Sequence, residues 1–490
     1  MKKIISLIIV FIMLMSCIAC SGQTPDTGDE STDNASVENT EATEKVKEEY
    51  TGTFEVGFAR IDMTPDESLL GKIPATDSTS DVFNRIKDKL YATCIAVHDG
   101  EKTALILTLD TKHAVAGFVD NICRRIKFAT GIDEKDIIVS VTHNHSSPDP
   151  GQSGNQYVSR WLGAFYNDVG PLAKEAIEDL SPAEIYIGQE DTKGLAFVRR
   201  YLHADGGYSA IQNHVKNNTP IVAHETEADS SLQVIKFERG DKKDIVLANW
   251  QAHVAHAIGL FPDSISSDIV GFARDVAEEK DDIHFAYFQG ASGNINLNIK
   301  IPELASYFGN YRTVGQIIGE KVRKVIDGNS MQKVSAGKIS TKTSSVKADV
   351  IPVTDELLAQ AREVQDSGYD EELIKKYGFA TKYDVNATIN RSGLGDSVSV
   401  KVAAITFGDL AFVAVPYEMF DTNGMEVKDG SPYEMTFVLT CANGHYGYVP
   451  SNFAFPHKGY EVNVTKFVQG TAEKFSAKYV EMLKEMKDAE

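Results

Sequence analysis

The chain has 490 residues and a formal net charge of −21, from 49 Lys and Arg against 70 Asp and Glu. That balance excludes a nucleic-acid or anionic-surface binder, because the summed field repels phosphate. Of the five cysteines, two fall within the first 20 residues, so the rest of the chain can form at most one disulfide and is no disulfide scaffold.

The chain opens Met1-Lys-Lys3, runs apolar from Ile4 to Met15, and then reaches Ser16-Cys17 and Ala19-Cys20. A basic start, a short apolar core and a small residue before cysteine describe a bacterial lipoprotein signal over 1–20, with Cys17 or Cys20 as the lipidated residue. The alternative is an ordinary cleaved signal. The apolar core is too short for a comfortable membrane span. Residues 21–50 are Ser, Thr, Asp, Glu and Gly with almost no large apolar side chain. Such a segment cannot offset its ordering entropy by burial, so it is expected to be a disordered acidic tether. Residues 51–490 form the body. No second linker and no internal repeat divides it, which predicts one large domain.

Strand-like and helix-like segments then alternate. Phe54–Ile61 reads as a strand that ends in the turn Asp62-Met-Thr-Pro65. Tyr91–Val97 and Thr103–Leu109 flank Asp99-Gly100 as a hairpin. Helical periodicity appears over about 117–130, 158–178, 268–279, 311–326 and 464–487. Residues 329–400 are polar and show no clear pattern. The fold class is α/β, with mixed β-sheets flanked by helices.

Five apolar runs each lead into a polar residue suited to a metal or a substrate. Ile137–Thr142 leads into His143-Asn-His145, and Ile245–Trp250 into His253. His284–Phe288 leads into Gln289–Asn296, Leu410–Val415 into Glu418, and Met435–Thr440 into Asn443–Tyr448. Sites in open α/β sheets form beyond the carboxyl ends of strands, so these ends can share one pocket. Two histidines, a glutamate and a tyrosine suit zinc. Each element alone is ambiguous. His143 and His145 could be loop histidines without a ligand, and His253 with His256 has a common spacing. Arg199 and Arg200 could clamp a negative charge or form a surface salt bridge. Asp149 could orient an imidazole. Cys94 and Cys123 sit in apolar contexts and read as small core residues.

Taken in order, these blocks resemble the neutral ceramidase family, over its N-terminal catalytic domain. Gly57-Phe-Ala-Arg-Ile-Asp-Met-Thr-Pro65 is similar to its opening strand and turn. Val141-Thr-His-Asn-His-Ser-Ser-Pro148 resembles its first histidine motif, and Asn249-Trp-Gln-Ala-His253, with Ser266-Ser-Asp268 and Gly271, its second. Val415-Pro-Tyr-Glu418, Gly447-Tyr-Val449 and Gly459-Tyr-Glu461 complete the series. The resemblance implies one zinc per chain held by His143, His253, Glu418 and Tyr448. It places His145, Arg199 and Tyr460 as substrate-contacting or transition-state groups. The family's catalytic serine falls on Asn296 and a neighbouring aspartate on Asn294; a carboxamide is neither nucleophile nor base. Ser292 would need a loop rearrangement to take over. No C-terminal immunoglobulin-like domain is expected.

The expected function is therefore an exported, lipid-anchored zinc hydrolase on the outer face of a bacterial membrane. Metal-activated water would cleave an N-acyl amide or related ester of a small or lipid-like acyl substrate, with His145 protonating the leaving group. Asn296 would donate to the oxyanion or orient the substrate. The alternatives are a zinc-binding relative without turnover and a solute-binding lipoprotein.

Overall fold

Three sheets, each ending in one parallel pair, organise the computed structural model, which describes residues 52–76, 78–210, 219–297 and 311–490. The leader and tether lie outside the described residues. The first sheet runs in the order Ile137–Val141, Thr103–Leu109, Tyr91–His98, Glu55–Asp62, Ser181–Pro182. The second runs Ile283–Gln289, Asp244–Trp250, Ser231–Glu238, Glu184–Asp191, Gln332–Val334. The third runs Ile339–Asp349, Ser397–Phe407, Leu410–Val415, Met435–Thr440. In each sheet one outer pair is parallel and the described remainder is antiparallel.

The parallel pairs are apolar on both faces because both faces are covered. All seven residues of Asp244–Trp250 except the first are buried, as are all six of Met435–Thr440. One continuous core takes Ile106 and Ile138 from the first sheet, Leu247 and Phe288 from the second, and Phe412 and Phe437 from the third. Phe437 and Phe412 meet edge to face at 5.3 Å. Burying such a ring stabilises by about 1.5–3 kcal/mol. The predicted hairpin is present in full register, from Ala92 opposite Leu109 to His98 opposite Thr103. Its turn is closed by the Asp99 carboxylate, which accepts from the Glu101 and Lys102 amides at 2.9 and 2.7 Å.

Helices cover the outer faces. Ala116–Thr130 and Gln156–Glu178 pack on the first sheet. Asp268–Ala277 and Tyr311–Asp327 lie over the second. They approach closely because Gly315 and Gly319 have no side chain: a Cβ would come within 2.5 Å of the Ile269 carbonyl and 2.7 Å of Val276. The closing helix is Thr471–Asp488, shorter than the periodicity predicts. Tyr460–Val464 is a separate short helix, and the chain between is extended. There the Lys466 carbonyl accepts from Ile351 at 2.9 Å, and Gly470 turns into the last helix with φ 86°.

The stretch 329–400, without clear pattern in the sequence, completes the second sheet and begins the third. Between Ile339–Asp349 and Ser397–Phe407 it carries three helices, Asp355–Asp366, Glu371–Lys376 and Lys382–Ser392. Their own core is small, with Ala361, Val364 and Val385 fully buried. Cys94, Cys123 and Cys441 are buried free thiols. No helix among the described residues is long and apolar enough to cross a membrane.

Candidate metal centre

The carboxyl ends of the three parallel pairs converge. Thr103–Leu109 and Ile137–Val141 deliver Lys112, His113, His143 and His145. Asp244–Trp250 and Ile283–Gln289 deliver His253 and the loop Ser292–Asn296. Leu410–Val415 and Met435–Thr440 deliver Glu418, His445 and Tyr448. The backbone breaks sharply from the sheets at this end. His143, Cys441 and Asn443 hold φ of 56°, 53° and 57°, a left-handed conformation that costs energy outside glycine and concentrates at functional sites. Asn443 offsets part of that cost by accepting from the Val139 amide at 2.8 Å. Glu418 and Tyr448 are direct partners in a short parallel pairing, which sets carboxylate beside phenol. Gly293 packs against that pairing so tightly that a Cβ would stand 2.7 Å from the Glu418 carbonyl.

The four residues implied as zinc ligands come together. Glu418 Oε2 lies 3.3 Å from His143 Nε2 and 3.2 Å from His253 Nε2. Tyr448 Oη lies 3.3 Å from His253 Nε2. Ligands about 2.0–2.1 Å from a tetrahedral zinc stand about 3.3 Å from one another, so these spacings fit a cation at their centre. Glu418 Oε2 is buried and has no hydrogen bond of proper geometry, although two imidazoles face it. The outer ring nitrogens point away. His143 Nδ1 is 3.0 Å from the Lys112 carbonyl, and His253 Nδ1 is 2.7 Å from that of Ser292. A carbonyl can only accept, so Nδ1 carries the proton and Nε2 turns a lone pair inward. His145 Nε2 stands 3.2 Å from His143 Nε2. His143, His145 and His253 can each turn one nitrogen into a common space.

Electrostatics favour the ligand forms at Glu418 and His253. Burial works against ionised Glu418, but His143 and His253 hold its carboxyl well below the usual range. Burial and the nearby Arg199 push His253 down to about 4. Burial also disfavours charged His143, yet Cys441 and Glu418 outweigh it and raise its proton affinity, so proton and metal compete for its Nε2.

The two adjacent arginines share Glu461 and differ in their other partners. Arg199 donates from Nε to Glu461 at 2.9 Å and from Nη2 to the Gly293 carbonyl and to Tyr448 Oη at 2.9 and 3.0 Å. It thus steadies the phenol oxygen; burial raises Tyr448's pKa well above the ordinary value and Arg199 opposes that rise. Arg200 takes the other oxygen of Glu461 at 3.0 Å and pairs with Glu225 rather than with Tyr448. Tyr460 opens its short helix with its ring 5.6 Å from that of Tyr448.

Asn296 is placed differently. It pairs with Phe197 in a two-residue ladder, its side-chain oxygen accepts from Leu297 at 2.9 Å, and it does not line the cavity beside the centre. Asn294 is buried and exchanges hydrogen bonds with Asp421 at 2.7 and 2.9 Å. Ser292 Oγ is buried without a hydrogen-bond partner among the described residues and also does not line the cavity. Asp149 orients His113, at 3.0 Å from Nδ1, rather than a proposed ligand. The Asp268 carboxylate is spent on the His256 and Ala257 amides at 2.8 and 2.6 Å, which gives it a structural role.

A cavity of about 260 Å³ opens beside Glu418, His143, His145, Tyr448 and Tyr460. Sequence reasoning missed several of its walls. His113 and His445 stack at 3.9 Å; His113 lies four residues past a predicted strand, a signal that was present. The opposite wall is one face of Lys382–Ser392, with Tyr383, Asn386, Ala387 and Asn390 at helical spacing.

No family model matches the sequence, and no curated protein matches it. Solved structures do. A neutral ceramidase crystal structure from Pseudomonas aeruginosa superposes with a TM-score of 0.67 at 15% identity, over 89% of this chain and 75% of that one. A structure described as ceramidase complexed with C2 superposes with a TM-score of 0.67 at 14% identity, over 89% of this chain and 76% of that one. The chain has a neutral ceramidase-like fold.

Proposed function

We propose that this chain is a zinc-dependent hydrolase that cleaves an N-acyl amide or a related ester. The observation that carries the reading is the convergence of His143, His253, Glu418 and Tyr448 at the spacing a tetrahedral cation requires, with Glu418 Oε2 buried and lacking a hydrogen bond. The ceramidase-like fold supports it. A bound zinc supplies a Lewis acid and lowers the pKa of water at the site to about 7. The chain's own groups do the rest. His143 and His253 present neutral Nε2 lone pairs because their Nδ1 protons are held by carbonyls. Arg199 keeps the Tyr448 oxygen in place and favours its ionised form. His145, on the cavity wall, passes a proton to the departing nitrogen or oxygen. Tyr460 offers its hydroxyl where negative charge grows on the former carbonyl oxygen. The leader and acidic tether support an exported lipoprotein.

Asn296 at the family's serine position motivates a second reading, a zinc-binding relative without turnover. Metal content of residues 51–490, purified without chelator, tests both. About one zinc per chain, lost in His253→Ala, supports the centre; turnover of N-acyl amides or esters then decides between hydrolase and silent relative. No zinc, with no uptake on addition, overturns both.

A further inference from the structure

Lys466 lines the same cavity, on the extended segment that pairs through its carbonyl with Ile351. Its ammonium is half-buried and forms no ion pair or hydrogen bond among the described residues. It stands 6.0 Å from the centre of the Tyr446 ring, the outer limit of useful cation–π attraction. Other inward-facing cations here are matched: Lys102 with Asp136 at 2.7 Å, Arg274 with Asp110 at 2.9 Å, Lys428 with Asp229 at 2.9 Å. An ammonium withdrawn from water without a contacting counter-charge costs free energy, and the Glu418 charge acts on it only from a distance. Among the described residues, the lone carboxylate on the cavity wall, Glu418, faces His143 and His253 at 3.3 and 3.2 Å and makes no ion pair with Lys466. Lys112, itself buried, also lines the cavity, with the Asp149 carboxylate near it.

The mounting is firm. Thr465, next in sequence, donates to the Tyr448 carbonyl at 2.8 Å, and Arg391 donates to the Thr465 carbonyl at 2.9 Å. The first bond fixes Lys466 relative to the metal centre, and the second fixes it relative to the helix carrying Asn386 and Asn390. Those carboxamides can donate to an oxyanion that the ammonium attracts.

We propose that Lys466 receives an anionic group of the substrate, a carboxylate within a few bonds of the scissile amide. The substrate class is then an N-acyl amino acid rather than a neutral N-acyl amino alcohol. This rests on the hydrolase reading. Cleavage would consume one water, form a C–O bond at the acyl carbon, break the C–N bond and transfer a proton to nitrogen, releasing a fatty or short-chain carboxylate and an amino acid.

The test is calorimetric binding of N-acetylglycine against N-acetylglycinamide, whose neutral end has the same shape, with turnover measured on the matching long-chain pair. Wild-type protein should bind the carboxylate at least about tenfold more tightly, which is about 1.4 kcal/mol. Lys466→Met should erase the preference and Lys466→Arg retain most of it, with zinc content unchanged in both. Equal affinity for the two probes overturns the proposal. So does a preference that survives Lys466→Met, which would put the carboxylate on the metal. Hydrolysis of neutral amides without a carboxylate preference would keep the hydrolase and discard the anion site. Lys466-dependent carboxylate binding without any turnover would do the reverse.

Discussion

The candidate metal centre and the helical wall opposite it are built by different means. The centre hangs from six strand ends whose pairs are buried on both faces and share one core. The wall belongs to a three-helix excursion with only a few fully buried side chains, whose carboxamides face the cavity. The first arrangement suits ligands that must hold fixed spacing against mutual repulsion. The second suits recognition, where a small local core can open at lower cost than the sheets. The proposed chemistry and the proposed selectivity thus rest on a large shared core and a small local one.

The strongest way to break the comparison is Glu418→Gln, which keeps the shape and removes the charge between two imidazoles. Zinc affinity should fall by about 100-fold or more, as even outer partners of a ligand cost 10–100-fold. Unchanged affinity by competition with a chelator would show that Glu418 is no ligand. Next is Arg200→Met. It leaves Glu461 with Arg199 alone and Glu225 with His457 alone, so the cost should stay below the about 3–5 kcal/mol of a fully broken buried pair; denaturant unfolding reads this, while Arg199→Met should also lower turnover.

A third probe is pH. Burial raises Asp421 to about 6, with Asn294 opposing the shift. An acid with a raised folded pKa makes the folded state bind more protons than the unfolded one. Its contribution therefore declines as pH rises from about 4 through about 6, by about 3 kcal/mol in all. Asp421→Asn should flatten that part of the stability profile, and parallel profiles for both proteins would refute the assignment.

The wall should respond more gently. Val385→Ala removes two methyl groups from the excursion's core and should cost about 1–2 kcal/mol. Hydrogen exchange should quicken across 355–392 and leave Met435–Thr440 protected; uniform loosening would mean that the two regions unfold together. The smallest effect is expected at Asn296. Because it lies off the cavity wall, Asn296→Ala should change turnover less than about threefold, whereas a loss of about 100-fold would restore it as an oxyanion donor.

The amino-acid sequence determined the strands and the polar residues at their ends. Runs such as Leu410–Val415 and Met435–Thr440 are apolar at nearly every position, which only a doubly covered strand tolerates, and the polar residue after each run must emerge at a sheet end. That made the segments around His143, His253, Glu418 and Tyr448 legible, while the resemblance to neutral ceramidases singled out these four. Tertiary structure decided what spacing cannot encode. Arg199 and Arg200 are equivalent as letters and share Glu461, and only the positions of Tyr448 and Glu225 tell them apart. The stack of His113 on His445 joins residues far apart in the chain. Helix Lys382–Ser392 carries too weak an apolar pattern to announce itself, because its inward face meets a polar cavity rather than a core. Lys466 lost its expected place in the last helix to a backbone pairing with Ile351. Local pattern reports which side a residue must face; only packing reports what it meets there.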